Sequence, residues 1–79
     1  MNIKDEIVAI IHSVSNSTKA EIQDYDRPLK EMGVDSLDLS TILLDLEEKY
    51  SIKIPDEDIS RLTTVNLIAA YINRKIRHQ

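Results

Sequence analysis

The residue types able to support chemistry gather in one short stretch, Gly33-Val34-Asp35-Ser36-Leu37-Asp38. Ser36 falls where a helix should begin, with Asp35 suited to the cap and Asp38 three positions on, as in a weak capping box. A phosphate carried on Ser36 would meet unpaired backbone N–H groups and the positive end of the helix dipole. Gly33, the only glycine in the chain, lets the backbone turn into positive φ just before it. The bland alternative is an ordinary cap or first-turn serine. A nucleophilic serine is a poor alternative: no histidine is near Ser36 in sequence, His12 and His78 read as surface residues, and there is no Gly-x-Ser-x-Gly elbow. With no cysteine in the chain, any thiol must come from an attached group. The acidic runs do not have the spacing of a calcium loop, so no metal site is expected. Asp35/Asp38 and Glu47/Glu48 offer at most weak, screening-type contacts to divalent cations.

The element that positions Ser36 runs from there through Tyr50. On a helical wheel of about 100° per residue, Leu39, Ile42, Leu43, Leu46 and Tyr50 share one side, the predicted core face. Leu37, Thr41, Leu44 and Glu48 share the opposite side, flanked by Asp38 and Asp45 on one edge and Glu47 on the other. Two leucines in an acidic frame have the character of a docking surface for a basic partner, or are two incidental surface residues.

Around this helix the pattern is helical throughout. Ile3, Ile7, Ile10, Ile11 and Val14 predict a first helix. Residues 15–35 are a long connection containing Pro28, with Ile22, Leu29, Met32 and Val34 expected to pin it to the core; connections this long are often functional. Pro55 fits the edge of a short helical turn over Asp56–Arg61. Thr63 or Thr64 should cap a last helix with Val65, Ile68, Ala69, Ile72 and Ile76 on one face. No stretch alternates with period two. The expected class is all-α, a single domain over residues 1–79. It is a four-helix bundle of three longer helices and one short one, with the long loop between the first and second.

Composition narrows the function further. The 79 residues carry a net charge of −4, unevenly spread. Residues 21–58 hold twelve acids and four bases, a net −8, whereas the flanks hold two acids and six bases, a net +4. The middle of the chain is therefore either a solvated acidic face or a surface for basic partners. No basic stripe with interleaved aromatics argues for nucleic acid. There is no apolar run of membrane-spanning length and no signal-peptide pattern, so a cytoplasmic location is the expectation; a monomer is expected as well.

The stretch Gly33–Asp38 closely resembles the attachment motif of the acyl carrier protein family. The resemblance continues through Leu46-Glu47-Glu48-Lys49-Tyr50, Ile54-Pro55-Asp56-Glu57-Asp58 and Thr63-Thr64-Val65, in order and over essentially the whole chain. It implies a stand-alone, non-catalytic carrier on which the motif serine, Ser36, takes 4′-phosphopantetheine from coenzyme A through a phosphopantetheinyl transferase. The thiol of that arm would hold acyl groups as thioesters in fatty acid, polyketide or specialised lipid synthesis, which accounts for the missing cysteine. Loading and processing enzymes with basic patches would be the other partners. The docking residues are then Asp35, Leu37, Asp38, Thr41, Leu44, Asp45, Glu47 and Glu48, with Asp56 and Glu57 on the next turn. Two departures bear on the partner set. Housekeeping fatty-acid carriers commonly have glutamate where this chain has Thr41, and the terminus Arg74-Lys75-Ile76-Arg77-His78 is more basic than in that group. An aminoacyl or peptidyl carrier, or a non-carrier interaction subunit that keeps the fold, are the alternatives.

Overall fold

The computed structural model describes residues 2–15 and 24–77; the expectations for Ile22 and His78, and the acid Glu21, fall outside them. The described chain forms four α-helices: α1 (Ile3–Val14), α2 (Ser36–Tyr50), α3 (Asp56–Ile59) and α4 (Val65–Arg77), with a 3-10 turn at Leu29–Met32. No strand occurs among the described residues.

Three of the four helices start at a side-chain acceptor, and α3 follows Pro55 without one. The Asn2 side chain accepts from the Lys4 N–H at 2.9 Å, and Asp5 and Glu6 then occupy the positive end of α1. Thr64, rather than Thr63, caps α4, its Oγ1 accepting from the Leu67 N–H at 3.1 Å. Helix α2 ends at Ser51, which adopts a left-handed conformation with φ 54° and donates its N–H to the Glu47 carbonyl.

The core is built from stripes that the helical period brings together. Ile7 and Ile11 of α1 pack with Ile42, Leu43 and Leu46 of α2 and with Val65, Ile68, Ala69 and Ile72 of α4, all buried. Burying each large aliphatic side chain contributes roughly 1.5–3 kcal/mol, so these stripes hold the bundle closed. Leu39 and Tyr50, placed on the same face by the wheel, are half-buried and pack against this cluster.

Three features differ from expectation. The short helix stops at Ile59; the chain continues to Leu62 through turn hydrogen bonds, Arg61 N–H to the Asp58 carbonyl and Leu62 N–H to the Ile59 carbonyl. Ile76, expected on the core stripe of α4, is 41% exposed. Helical period fixes the direction of a side chain, but burial also needs a neighbouring element to cover it. Tyr71, which was not on the expected stripe, is 7% exposed, and its hydroxyl donates to Asp58 Oδ2 at 2.8 Å.

The described part of the long connection is tied to the end of the bundle from which α4 starts. The Leu29 N–H donates to the Thr63 carbonyl at 2.9 Å, and the Asn66 N–H donates to the Tyr25 carbonyl at 3.1 Å. The Asn66 side-chain amide donates to Asp26 Oδ1 at 2.6 Å. Leu29 and Val34 are buried and Met32 partly so, as their apolar character requires.

Candidate attachment site and docking face

The site is built from the 3-10 turn and the first turn of α2. The turn closes at Gly33, whose φ of 93° lies in the left-handed region, so the chain reverses there without a Cβ in the way. The Gly33 N–H donates to the Lys30 carbonyl and the Val34 N–H to that of Leu29. Val34 is thereby buried as an anchor, and Asp35 and Ser36 emerge into solvent directly after it.

Asp35 is the N-cap of α2. Its side chain accepts from the Asp38 N–H at 2.8 Å, and its carbonyl accepts from the Leu39 N–H at 2.9 Å. Ser36 is the first helical residue and is exposed. Its own N–H and that of Leu37 precede the first intrahelical bond and point out of the helix end, where they suit an anion.

Beside Ser36 lies a groove of about 290 Å³, lined by Pro28, Leu29, Val34 and Leu39 with Lys30, Asp35 and Thr63 at its edges. A smaller depression formed by Lys30, Gly33, Val34, Asp35 and Ser36 adjoins it. The exposed hydroxyl therefore stands at the junction of an apolar trough, a lysine and a helix N-terminus.

Beyond Ser36, α2 turns two leucines outward. Leu37 is 77% exposed and Leu44 54%, while Leu46 on the opposite side is fully buried. Asp35, Thr41 and Glu48 are exposed; Asp38, Asp45 and Glu47 are half-buried. The Thr41 hydroxyl donates to the Leu37 carbonyl at 3.2 Å, which turns it back onto its own helix. Glu47 Oε2 accepts from the Ile54 N–H at 3.2 Å, so this acid also holds the α2–α3 connection in place. Asp56 and Glu57 lie exposed in the first turn of α3, a separate element from the leucines.

Sequence patterns described as the phosphopantetheine attachment site match residues 5–72. An acyl carrier protein of Wolinella succinogenes is 33% identical over 72 residues, covering 91% of this chain and 95% of that protein. The chain belongs to the phosphopantetheine-binding, acyl carrier protein family. An acyl carrier protein of Bdellovibrio bacteriovorus is 36% identical over 73 residues, covering 92% of this chain and 88% of that one. The crystal structure of an acyl carrier protein from Thermotoga maritima superposes with a TM-score of 0.77 at 25% identity, covering 99% of this chain and 94% of the other. Membership makes the chain a carrier rather than a catalyst and gives it 4′-phosphopantetheine as its covalently attached group.

The residues at the start of α2 fit that group. The outward N–H groups and Lys30 suit a phosphodiester, and the apolar trough suits the chain that continues from it. None of the described helices is long and apolar enough to cross a membrane. No group of His, Cys, Asp or Glu that could hold a metal ion occurs among the described residues.

Sequence reasoning missed two arrangements. The Tyr50 hydroxyl donates to Glu6 Oε2, and Lys49 Nζ lies 3.4 Å from Glu6 Oε1, so the end of α2 is bound to α1. The Tyr50 hydroxyl holds the Glu6 carboxyl below its ordinary range, with Lys49 adding to the effect and burial opposing it. The other is the Tyr71–Asp58 bond between α4 and α3. Each tyrosine was visible in sequence, but neither has a local signal for its acidic partner.

Proposed function

We propose that Ser36 is the attachment residue and that the protein carries acyl intermediates of fatty acid, polyketide or specialised lipid synthesis. In the loading step the Ser36 oxygen would attack the pantetheine-side phosphorus of the coenzyme A pyrophosphate. A phosphorus–oxygen bond forms, the bond to the adenosine-side phosphate breaks, and the hydroxyl proton passes to the transferase. The arm then supplies a thiol, which this cysteine-free chain lacks. The observation that carries the reading is the exposed Ser36 at the first position of α2, at the mouth of an apolar groove.

The chain's own residues would divide the remaining work. Leu37 and Leu44 act as apolar anchors for an enzyme's docking patch. Asp35, Asp38, Asp45 and Glu48 steer the encounter through charge, and Thr41 replaces a charge on that surface. Asp56 and Glu57 extend the acidic field onto α3. The carrier would work as a cytoplasmic monomer, visiting the transferase first and then loading and processing enzymes with basic patches. The tether raises the acyl group's local concentration at each of them.

The cargo is tested by making the phosphopantetheinylated protein and offering it loading enzymes with acyl and with aminoacyl donors. Mass spectrometry should find acyl thioesters that hydroxylamine removes. Loading by amino acids alone would contradict the reading.

A further inference from the structure

A second groove, of about 400 Å³, lies between α3 and α4 and shares no lining residue with the groove at Ser36. Leu62, Leu67, Ala70 and Tyr71 supply its apolar surface, and Arg61 and Arg74 stand at it as cations. Leu67 is 47% exposed although it sits between buried Val65 and Ile68, so the helix holds a large apolar side chain against this concavity instead of the core.

Two arginines gather at this groove. Neither Arg61 nor Arg74 has a carboxylate within ion-pair distance among the described residues, in a chain whose net charge is −4. Asp58, the one acid lining the groove, accepts the Tyr71 hydroxyl. Arg74 and Lys75 both lie over the Tyr71 ring, at 5.8 and 5.3 Å from its centre. The Tyr71 side chain is thus fixed from both ends, and positive charge is gathered beside it.

We propose that this groove docks an acidic protein segment that presents one apolar side chain, separately from the acidic α2 face. Two cations around an apolar floor complement such a segment. A concave floor fits a protruding side chain better than it fits a flat lipid surface. The inference does not depend on Ser36, so it stands or falls separately from the attachment reading.

The test is an amide chemical-shift titration with a synthetic peptide of glutamates and glycines around one central leucine, run on the wild type and on Ser36→Ala. Saturable shifts at Leu67, Ala70, Tyr71 and Arg74, equal in both proteins and weakened by salt, are expected. The double variant Arg61→Glu, Arg74→Glu should bind about tenfold more weakly or not at all, with its thermal melt retained. Leu67→Ala should weaken binding with the fold intact. The proposal is overturned by equal shifts from a lysine version of the peptide, by shifts confined to other faces, or by no saturable response. Binding to anionic vesicles without peptide binding, or shifts that follow protein concentration alone, overturns it as well.

Discussion

The Asp35 carboxylate accepts the Asp38 N–H at 2.8 Å, and Ser36 stands between these two residues as the first residue of α2. One cap thus fixes the helix end while leaving the adjacent hydroxyl in solvent. Asp35→Ala should lose about 1 kcal/mol of stability in denaturant titrations, whereas Asp35→Asn, which keeps an acceptor, should lose little. Equal losses in both would show that the cap does not hold the helix end.

The two faces of α2 should respond oppositely to truncation. Leu46 is fully buried, and Leu46→Ala should cost about 2–5 kcal/mol. Leu37 is 77% exposed, and Leu37→Ala should leave stability within about 0.5 kcal/mol. It should nevertheless lower kcat/KM for the transferase, because an apolar anchor beside the attachment point is lost. Melts and transferase kinetics on both variants check this; modification of Leu37→Ala at the wild-type rate would make the leucine incidental for that partner.

Alkaline stability should depend on two tyrosines. Tyr50 is pushed up to about 12 by burial first, then by its hydrogen bond to Glu6 and that residue's charge. Burial first, then Asp58, pushes Tyr71 up to about 12 as well. The unfolded chain releases these protons near pH 10, before the folded protein does, so their contribution is full below pH 10 and is lost as pH rises toward about 12. Glu6 has the reverse sign: its lowered value contributes above the ordinary carboxylate range and the contribution is lost as pH falls. Urea titrations across pH should show the alkaline decline flatten in Tyr50→Phe and Tyr71→Phe. An unchanged alkaline slope in both would contradict the assignment.

Salt should stabilise the protein. Residues 21–58 carry a net −8, yet the ion pairs among the described residues are only Arg27–Glu31 at 3.8 Å and Lys49–Glu6 at 3.4 Å. Asp35, Asp38, Asp45 and Glu48 are left to repel one another, and screening removes that repulsion. Tm should rise with sodium chloride and rise further with magnesium. A flat or falling Tm would mean that the acids are compensated elsewhere.

Much of this was legible in the sequence because it is local. The cap at Asp35, the span Ser36–Tyr50 and the outward Leu37 and Leu44 follow from a capping pattern and one helical period. The 3-10 turn at Leu29–Met32 was not legible, since four residues are too few to display a period. Glu6–Tyr50 and Asp58–Tyr71 join residues 44 and 13 positions apart, and such pairs appear only once the helices are packed. The groove between α3 and α4 depends on Tyr71 turning inward, which its neighbours in sequence do not dictate.

The attachment of the arm to Ser36 is tested most directly by intact-mass and peptide-mapping spectrometry. Wild type, Ser36→Ala and Ser40→Ala would each be incubated with coenzyme A and a broad-specificity transferase. The account predicts that wild type and Ser40→Ala gain one phosphopantetheine on the peptide containing Ser36. Ser36→Ala should remain unmodified with an unchanged melt. Modification of Ser36→Ala, or a modified peptide that does not contain Ser36, would contradict it.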